Sequence, residues 1–575
     1  MNPRTSAETE LEVETQCDGQ STLLAQWKAD SAEQLVLEEE TFVGDQHRVK
    51  GNDEINWWNR PSVSNKFNRR HNTKTYKVWR MILPYFIYSL AFGGSMFLRT
   101  NLILELLCRR YYTEADSGSI LPEDWTSLQD HCRKPEVQAL ASRFTFTTDL
   151  ICGILAAISC PKLGALSDRY GRIKVLCIPA TGTLMSEAII TFVAFHPGSL
   201  SINWLYLAYF FEGLCGSFIA VIAITHSYLA DCTTPENRNV VFGWFHGCLW
   251  SGFAVGSLLV TAVIRATGDY RGVFYISVAC RLCFSISLLV AVPESVSHHQ
   301  QLIARRLFSK RKLEMDASLG HLEKTVRKVY DLFSPLKFFW PKGHGSSPAL
   351  RRNLALLAVV DAVTFGIAMG SFNVLILYSR HEFGWRAYEQ SFFFAGMNFT
   401  RICCSTIVMP AIVWLNHGTL WNPKSESHTG CEKLDLALLR SALAFYTLGY
   451  IGYALATVPT LFIISGVATA IAGLALPMLQ SVMTKHISAI HTGQMLGASG
   501  LLHSLARIVT PFALNGMYGL TVGTMSHFAF VFVAIILGTT ACLCWFVMPG
   551  VYLDDDAEVH QPILKSDDTD EEVHA

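Results

Sequence analysis

The residues with chemistry to offer are the ionisable ones that interrupt otherwise apolar stretches: Asp149, Glu187, Glu212, Arg281, Asp361, Arg401, His503 and Arg507. In a hydrocarbon layer each costs about 3 kcal/mol or more unless it meets a partner or a wet cavity, so a chain that keeps them there has a use for them. Desolvation moves carboxyl titration toward neutral pH. Glu212, flanked by Phe210, Phe211 and Gly213, therefore reads either as a proton-carrying group or as a permanent ion-pair partner of Arg281. Asp149 and Glu187 are further candidates for the proton. Arg281 and Arg401 suit either an anionic solute or the neutralisation of a carboxylate. His503 and Arg507, four residues apart, share one helix face. Asp361 is expected to pair with Arg440 or a loop cation, and His226 and His246 to pack near helix ends.

The elements that must position these residues are membrane spans. Half of the 575 residues are hydrophobic and only 16% are charged, with a formal net charge of -1. That excludes a soluble enzyme of this size and gives nucleic-acid binding no support. Apolar stretches near residues 81–107, 142–161, 175–196, 204–230, 241–265 and 272–293 are each about long enough to cross a ~30 Å hydrocarbon core as a helix. Six more follow near 354–379, 390–414, 437–457, 459–482, 494–519 and 526–548. The fold class expected is an all-α membrane protein with twelve transmembrane helices in two six-helix halves.

The expected domains are a disordered cytoplasmic tail at 1–77, a first half at 78–293, a cytoplasmic linker with an amphipathic helix at 294–352, a second half at 353–549 and an acidic tail at 550–575. Lys and Arg concentrate in alternate loops, which puts both termini in the cytoplasm. The polar amino terminus is expected to carry no cleavable signal. Most of the sixteen Cys fall in apolar stretches as small hydrophobes. Cys108 and Cys132 lie at the two ends of the first outer loop and are expected to form a disulfide in an oxidising compartment. No metal or cofactor is expected, and no phosphate-cradling G-x-x-x-x-G-K-[ST] loop is present to bind a nucleotide.

One short charged stretch carries a more specific signal: Gly164-Ala-Leu-Ser-Asp168-Arg169-Tyr-Gly171-Arg172-Ile-Lys174-Val175. Its glycines allow tight turns, its carboxylate lies where it can meet the positive end of a helix dipole, and its cations belong in water or headgroups. The spacing G-x-L-x-D-R-x-G-R resembles the loop between transmembrane helices 2 and 3 of the major facilitator superfamily. The pieces Glu212-Gly213-Leu-Cys-Gly216, residues 231–238 and Pro511-Phe-Ala-Leu-Asn515-Gly-Met-Tyr518 are similar to the branch of bacterial tetracycline exporters and the animal proton-coupled folate transporter, with fungal members especially similar in style.

The resemblance implies alternating access, in which two halves rock about a central site. It also implies an ionic latch in which Asp168 joins Arg172 and Arg238 at the cytoplasmic gate. Two departures limit it: no Asp-Arg loop recurs between spans 8 and 9, and the glycines at 243, 247, 252 and 256 have no proline among them. The function expected is secondary active transport of a small organic solute coupled to protons, with export favoured. Proton-coupled uptake of an organic anion or nutrient is the alternative, and a non-transporting receptor or scaffold is the rival from another class. The expected partners are the solute, protons and the bilayer, with the chain a monomer in the plasma membrane or, as the alternative, a vacuolar or other endomembrane.

Overall fold

In the computed structural model of the chain, the described residues are 63–115, 135–197, 200–267, 271–317, 334–341, 346–385, 387–417, 430–487, 491–521 and 523–551. Residues 74–575 make one unit and 1–73 another; the packing below concerns the first of these.

Apolar runs of 18 or more residues leave the backbone no partner in lipid but its own carbonyls, so they fold as helices. Among the described residues eleven helices are long and apolar enough to cross a membrane. They are α1 (Val63–Ala115), α2 (Pro135–Tyr170), α3 (Arg172–Phe195), α4 (Trp204–Asp231), α5 (Pro235–Thr267), α6 (Gly272–Val290), α7 (Pro348–Phe383), α8 (Glu389–Asn416), α9 (Lys433–Leu455), α10 (Pro459–Lys485) and α12 (Phe528–Trp545). The helix between the last two, α11 (Thr492–Thr521), is as long but less apolar, because it carries His503 and Arg507. Its polarity is tolerated because it packs along α2 and α7 rather than facing lipid.

Several boundaries differ from the sequence reading. α1 begins at Val63, inside the stretch 1–77 expected as a tail, because the basic residues there are themselves good helix formers; residues 1–62 and the acidic tail from 552 lie outside the described residues. α4 is not continuous. Gly216 takes the left-handed conformation at φ 91° and Ser217 follows at φ 59°, a kink that only glycine enters without steric cost. A π turn interrupts α8 at Cys404–Val408, and a 3-10 turn interrupts α10 at Ala472–Leu474.

The two halves meet along two seams, α2 against α11 and α5 against α8. At one end of the first seam the backbones are in contact. A Cβ on Gly164 would fall 2.8 Å from the Cα of Gly497, and one on Gly497 would fall 3.0 Å from the Cα of Gly164. Neither position admits a side chain without separating the helices. Farther along, Phe146 and Phe512 face each other across the same seam with ring centroids 5.4 Å apart.

Between the halves, the linker forms a surface helix, His298–Ala317, which docks on the α2–α3 loop. Arg305 donates to the carbonyl of Arg169 at 2.9 Å, the Arg169 guanidinium lies 3.8 Å from the Phe308 ring centroid, and Arg305 lies 4.7 Å from that of Tyr170. Arg169 thus binds the linker. At the opposite end, Arg109 and Arg271 both pair with Glu105, at 3.0 and 2.9 Å. Cys108 is disulfide-bonded, and Cys132 lies outside the described residues.

Candidate transport site and gate

The candidate gate is built on one helix end. The first turn of α11 has backbone N–H groups with no partner in the helix, and Asp168 supplies them: its Oδ1 accepts from Gly493 N at 3.0 Å and its Oδ2 from Gln494 N at 2.9 Å. A carboxylate there also faces the positive pole of the helix dipole. Arg172 holds the carboxylate in place at 2.5 Å and reaches Asp231 at 2.9 Å. Glu294 accepts from the backbone N–H groups of Arg172 and Ile173 at 2.8 and 3.1 Å, and so caps α3. Gly171, at φ 100°, makes the turn that brings these groups together. Arg172 is 1% exposed, whereas the sequence reading put it in water; two carboxylates and the Ser167 hydroxyl, at 2.8 Å, replace the solvent.

Arg238 does not join this latch. It crosses to the other half, donating to Thr484 Oγ1 at 3.2 Å, and also donates to the carbonyl of Ala230 in its own half at 3.4 Å. Beside it a second clasp appears that the sequence did not reveal. Asp435 pairs with Lys485 at 2.7 Å and accepts from Asn239 of the first half at 2.5 Å. No Asp-Arg signature marks it, because its partners come from three separate helices.

The interior holds two charge-balanced groups. In the first half, Arg99 pairs with Glu187 and, at 3.1 Å, with Glu212, while Arg281 lies 3.6 Å from Glu187. Two cations and two carboxylates cancel. Glu212 also accepts from Ser186 at 3.0 Å and from Ser217 at 3.4 Å, the latter delivered by the kink in α4. Sequence reasoning missed Arg99, which counting placed near the far end of its span. The helix runs on to Ala115, so Arg99 faces Glu187 and Glu212 well inside it.

The second group crosses between halves. Arg507 of α11 reaches Asp149 of α2 at 3.3 Å and Ser217 of α4 at 3.4 Å. Its distinguishing feature is access: the Asp149 side chain is 47% exposed, against 0% for Glu187 and 3% for Glu212.

The second half contributes two more polar positions. Asp361 pairs with His503 at 2.8 Å and accepts from Ser499 at 2.6 Å and from Gln480 at 2.9 Å, not with Arg440. Arg440 instead caps the end of α12 through the carbonyls of Cys544, Trp545 and Val547. His503 stacks on Phe365 at 4.0 Å, so His503 and Arg507 share a face of α11 yet serve opposite halves. Arg401 sits one turn before the π turn of α8, against the 3-10 turn of α10, where a Cβ on Gly473 would fall 3.0 Å from its Cγ. Its guanidinium lies 4.5 Å from the Trp250 ring centroid of the first half. Among the described residues no carboxylate pairs with it.

Replacing Asp168 with Asn removes the charge that faces the α11 dipole and pairs with Arg172 while keeping the side chain's shape. Asp168→Asn is expected to insert at normal abundance, and a cysteine at Gln494 in that background to react with a water-soluble thiol reagent several-fold faster than in the wild-type background. Equal labelling rates would show that the carboxylate does not hold this end shut.

Comparisons with known proteins bear on the family and the fold. A profile of the Major Facilitator Superfamily matches residues 133–422. The chain is 26% identical over 455 residues to the MFS-type transporter avaJ of Aspergillus versicolor, covering 78% of this chain and 84% of that protein. It is 22% identical over 413 residues to the proton-coupled folate transporter of Rattus norvegicus, covering 71% and 79%. With the class C tetracycline resistance protein of Escherichia coli it shares 22% identity over 383 residues, covering 66% and 81%. In structure it is similar to the human organic anion transporter MFSD10, at a TM-score of 0.60 and 15% identity over 82% of this chain and 99% of that one. A twelve-helix reading in two halves, a buried Asp168 on the first turn of α11 and a profile match across half the sequence lead to one conclusion: the chain belongs to the Major Facilitator Superfamily and is a multi-pass membrane transporter, not an enzyme.

Proposed function

We propose that this transporter moves a small organic solute against its gradient by coupling it to protons, and that Asp149 carries the proton. The observation behind this reading is the Asp149–Arg507 pair. It is the one interior ion pair among those described that joins the halves, it is made at 3.3 Å, and its carboxylate is half-exposed. When the halves part, Arg507 leaves; Asp149 then loses its counter-ion and gains a reason to take a proton. Glu212, by contrast, is enclosed by Arg99, Ser186 and Ser217, which supports its reading as a structural partner. Efflux is the direction proposed, with both termini in the cytoplasm, in keeping with the relatives named for drug resistance. Arg401 favours a second reading, uptake of an organic anion, since a cation stacked on Trp250 between the halves, with no carboxylate beside it among the described residues, is suited to a solute's carboxylate.

Proteoliposomes given a pH gradient and a cell metabolite extract test both the function and the assignment. Wild type is expected to change the trapped metabolite pool, whereas Asp149→Asn is expected to abolish proton-driven accumulation while sparing gradient-free exchange. No wild-type flux for any solute would favour the receptor or scaffold reading. Glu212→Gln leaves two buried cations facing Glu187 alone, and breaking such a set costs about 3–5 kcal/mol. Its expected outcome is a several-fold loss of folded protein, partly recovered by adding Arg281→Gln. A well-folded Glu212→Gln protein that has lost only proton coupling would transfer the role from Asp149 to Glu212.

For the disulfide, the proposed partner of Cys108 is Cys132. Peptide mapping without reduction is expected to yield the linked pair; recovery of Cys132 alkylated before reduction would refute it.

A further inference from the structure

Two buried histidines remain without a task in this account. His226 of α4 and His246 of α5 are 1% and 5% exposed, and their rings lie 5.2 Å apart. They sit among apolar rings, His226 being 4.6 Å from both Phe242 and Phe245. His226 lies against the carbonyl of Ile222 one turn back, but among the described residues none of the four ring nitrogens has a partner at ordinary hydrogen-bond geometry, and the neighbouring Thr225 Oγ1 and Trp250 Nε1 are equally unpartnered. A buried polar group without a partner costs about 1–3 kcal/mol. Here two imidazoles in contact carry that cost in one place, at positions where a phenylalanine pair would pack freely. Groups left unsatisfied in one arrangement call for a partner in another.

The surroundings identify that partner. The titratable groups of the other half that interact with the pair are His503 of α11 and, behind it, Asp361 of α7, while Tyr85 of α1 lies against Phe245 with ring centroids 4.1 Å apart. Once water or an anionic solute offsets the nearby cation Arg401, the smallest ion that an unpartnered imidazole binds is a proton. His246 and Trp250 lie four apart on one face of α5, and Trp250 carries Arg401. The histidines of the first half, the Asp361–His503 pair of the second and Arg401, which no carboxylate pairs with among the described residues, therefore converge at the seam between halves.

We propose that His226 and His246 form a second proton-binding site, filled when the halves part and water reaches the imidazoles, and emptied when they close into the apolar contact seen here. The imidazolium is stabilised by Asp361 through His503, and a proton held one turn from Arg401 accompanies the solute that Arg401 binds. The site rests on the proton-coupled reading above but not on Asp149 as the carrier.

Charge displacement on solid-supported membranes tests it with the proton itself as probe. Full-length protein in proteoliposomes receives a jump from pH 8 to lower pH values with no solute present, and the displaced charge is recorded. His246→Gln and His226→Gln are each expected to lose about half of the wild-type charge and to shift its midpoint. Asp149→Asn is expected to retain the histidine component and lose the remainder. Either histidine variant, folded by size-exclusion elution, with wild-type charge and midpoint would overturn the second site while leaving proton coupling intact. Loss in the histidine variants with none in Asp149→Asn would keep the second site and overturn the Asp149 assignment. His246→Phe, which suits the apolar surroundings, replaces any Gln variant that fails to fold and carries the same expectation. Absence of displaced charge in the wild type would refute both.

Discussion

A bilayer interior does not tolerate a net charge, and that constraint orders almost everything inside this transporter. Arg99 and Arg281 are cancelled by Glu187 and Glu212, and the four are buried in the first half, where they act as a fixed cross-brace among α1, α3, α4 and α6. Asp149 and Arg507 cancel each other across the seam, so their neutrality lasts only while the halves touch. The difference between a structural charge group and a working one is thus a matter of which helices supply the partners. A pair within one rigid half survives any rocking motion; a pair between halves must be broken by it. Arg401 is the exception among the interior cations, balanced by no carboxylate among the described residues and faced by Trp250.

Helix α11 joins the gate to this interior. Its first turn is held by Asp168 at Gly493 and Gln494. His503 lies about 15 Å farther along and Arg507 about 21 Å along, at 1.5 Å per residue. One helix therefore carries the candidate gate contact, the partner of Asp361 and the partner of Asp149. In the proposed rocking motion, movement of α11 away from α2 disengages the Asp168 cap and the Arg507 pair together, which links opening at one end to the loss of a counter-ion in the interior. The small residues of the seam, Gly164 and Gly497 above all, let two helices come close without fusing into an immovable core. Asp435, Lys485 and Asn239 add a second inter-half contact at the other pair of helices, so closure at this end rests on both seams.

The sequence made the scaffold legible and left the pairings hidden. Span positions follow from hydropathy, and the Asp168 loop from residue spacing, because both are local properties. Ion pairs are not local: the sequence reading pairs Asp361 with Arg440 or a loop cation, but folding brings it to His503 and Gln480, which lie 142 and 119 positions away, while Arg440 finds carbonyls at the end of α12. The family resemblance puts Arg238 in the latch, but it reaches Thr484 instead, since the carboxylate that would draw it, Asp168, is already engaged by Arg172 and by the backbone N–H groups of Gly493 and Gln494. Arg99 was passed over because its depth depends on a helix that outruns its apolar segment. His226 and His246 looked like interfacial residues because nothing in a linear pattern shows two rings meeting between α4 and α5. The kink at Gly216, which delivers Ser217 to both Glu212 and Arg507, has a sequence trace only in the glycine itself.

The central claim is that solute moves because the α2–α11 seam opens around Asp149 and Arg507. Cysteines at Phe146 and Phe512, whose rings face each other 5.4 Å apart on that seam, allow it to be clamped with a short bifunctional methanethiosulfonate and released with a reductant, while pH-gradient-driven solute accumulation is followed in proteoliposomes. The account predicts that the clamped Phe146→Cys/Phe512→Cys protein stops accumulating solute and resumes on reduction; undiminished accumulation with the clamp in place, shown by quantitative cross-linking of the same sample, would contradict it.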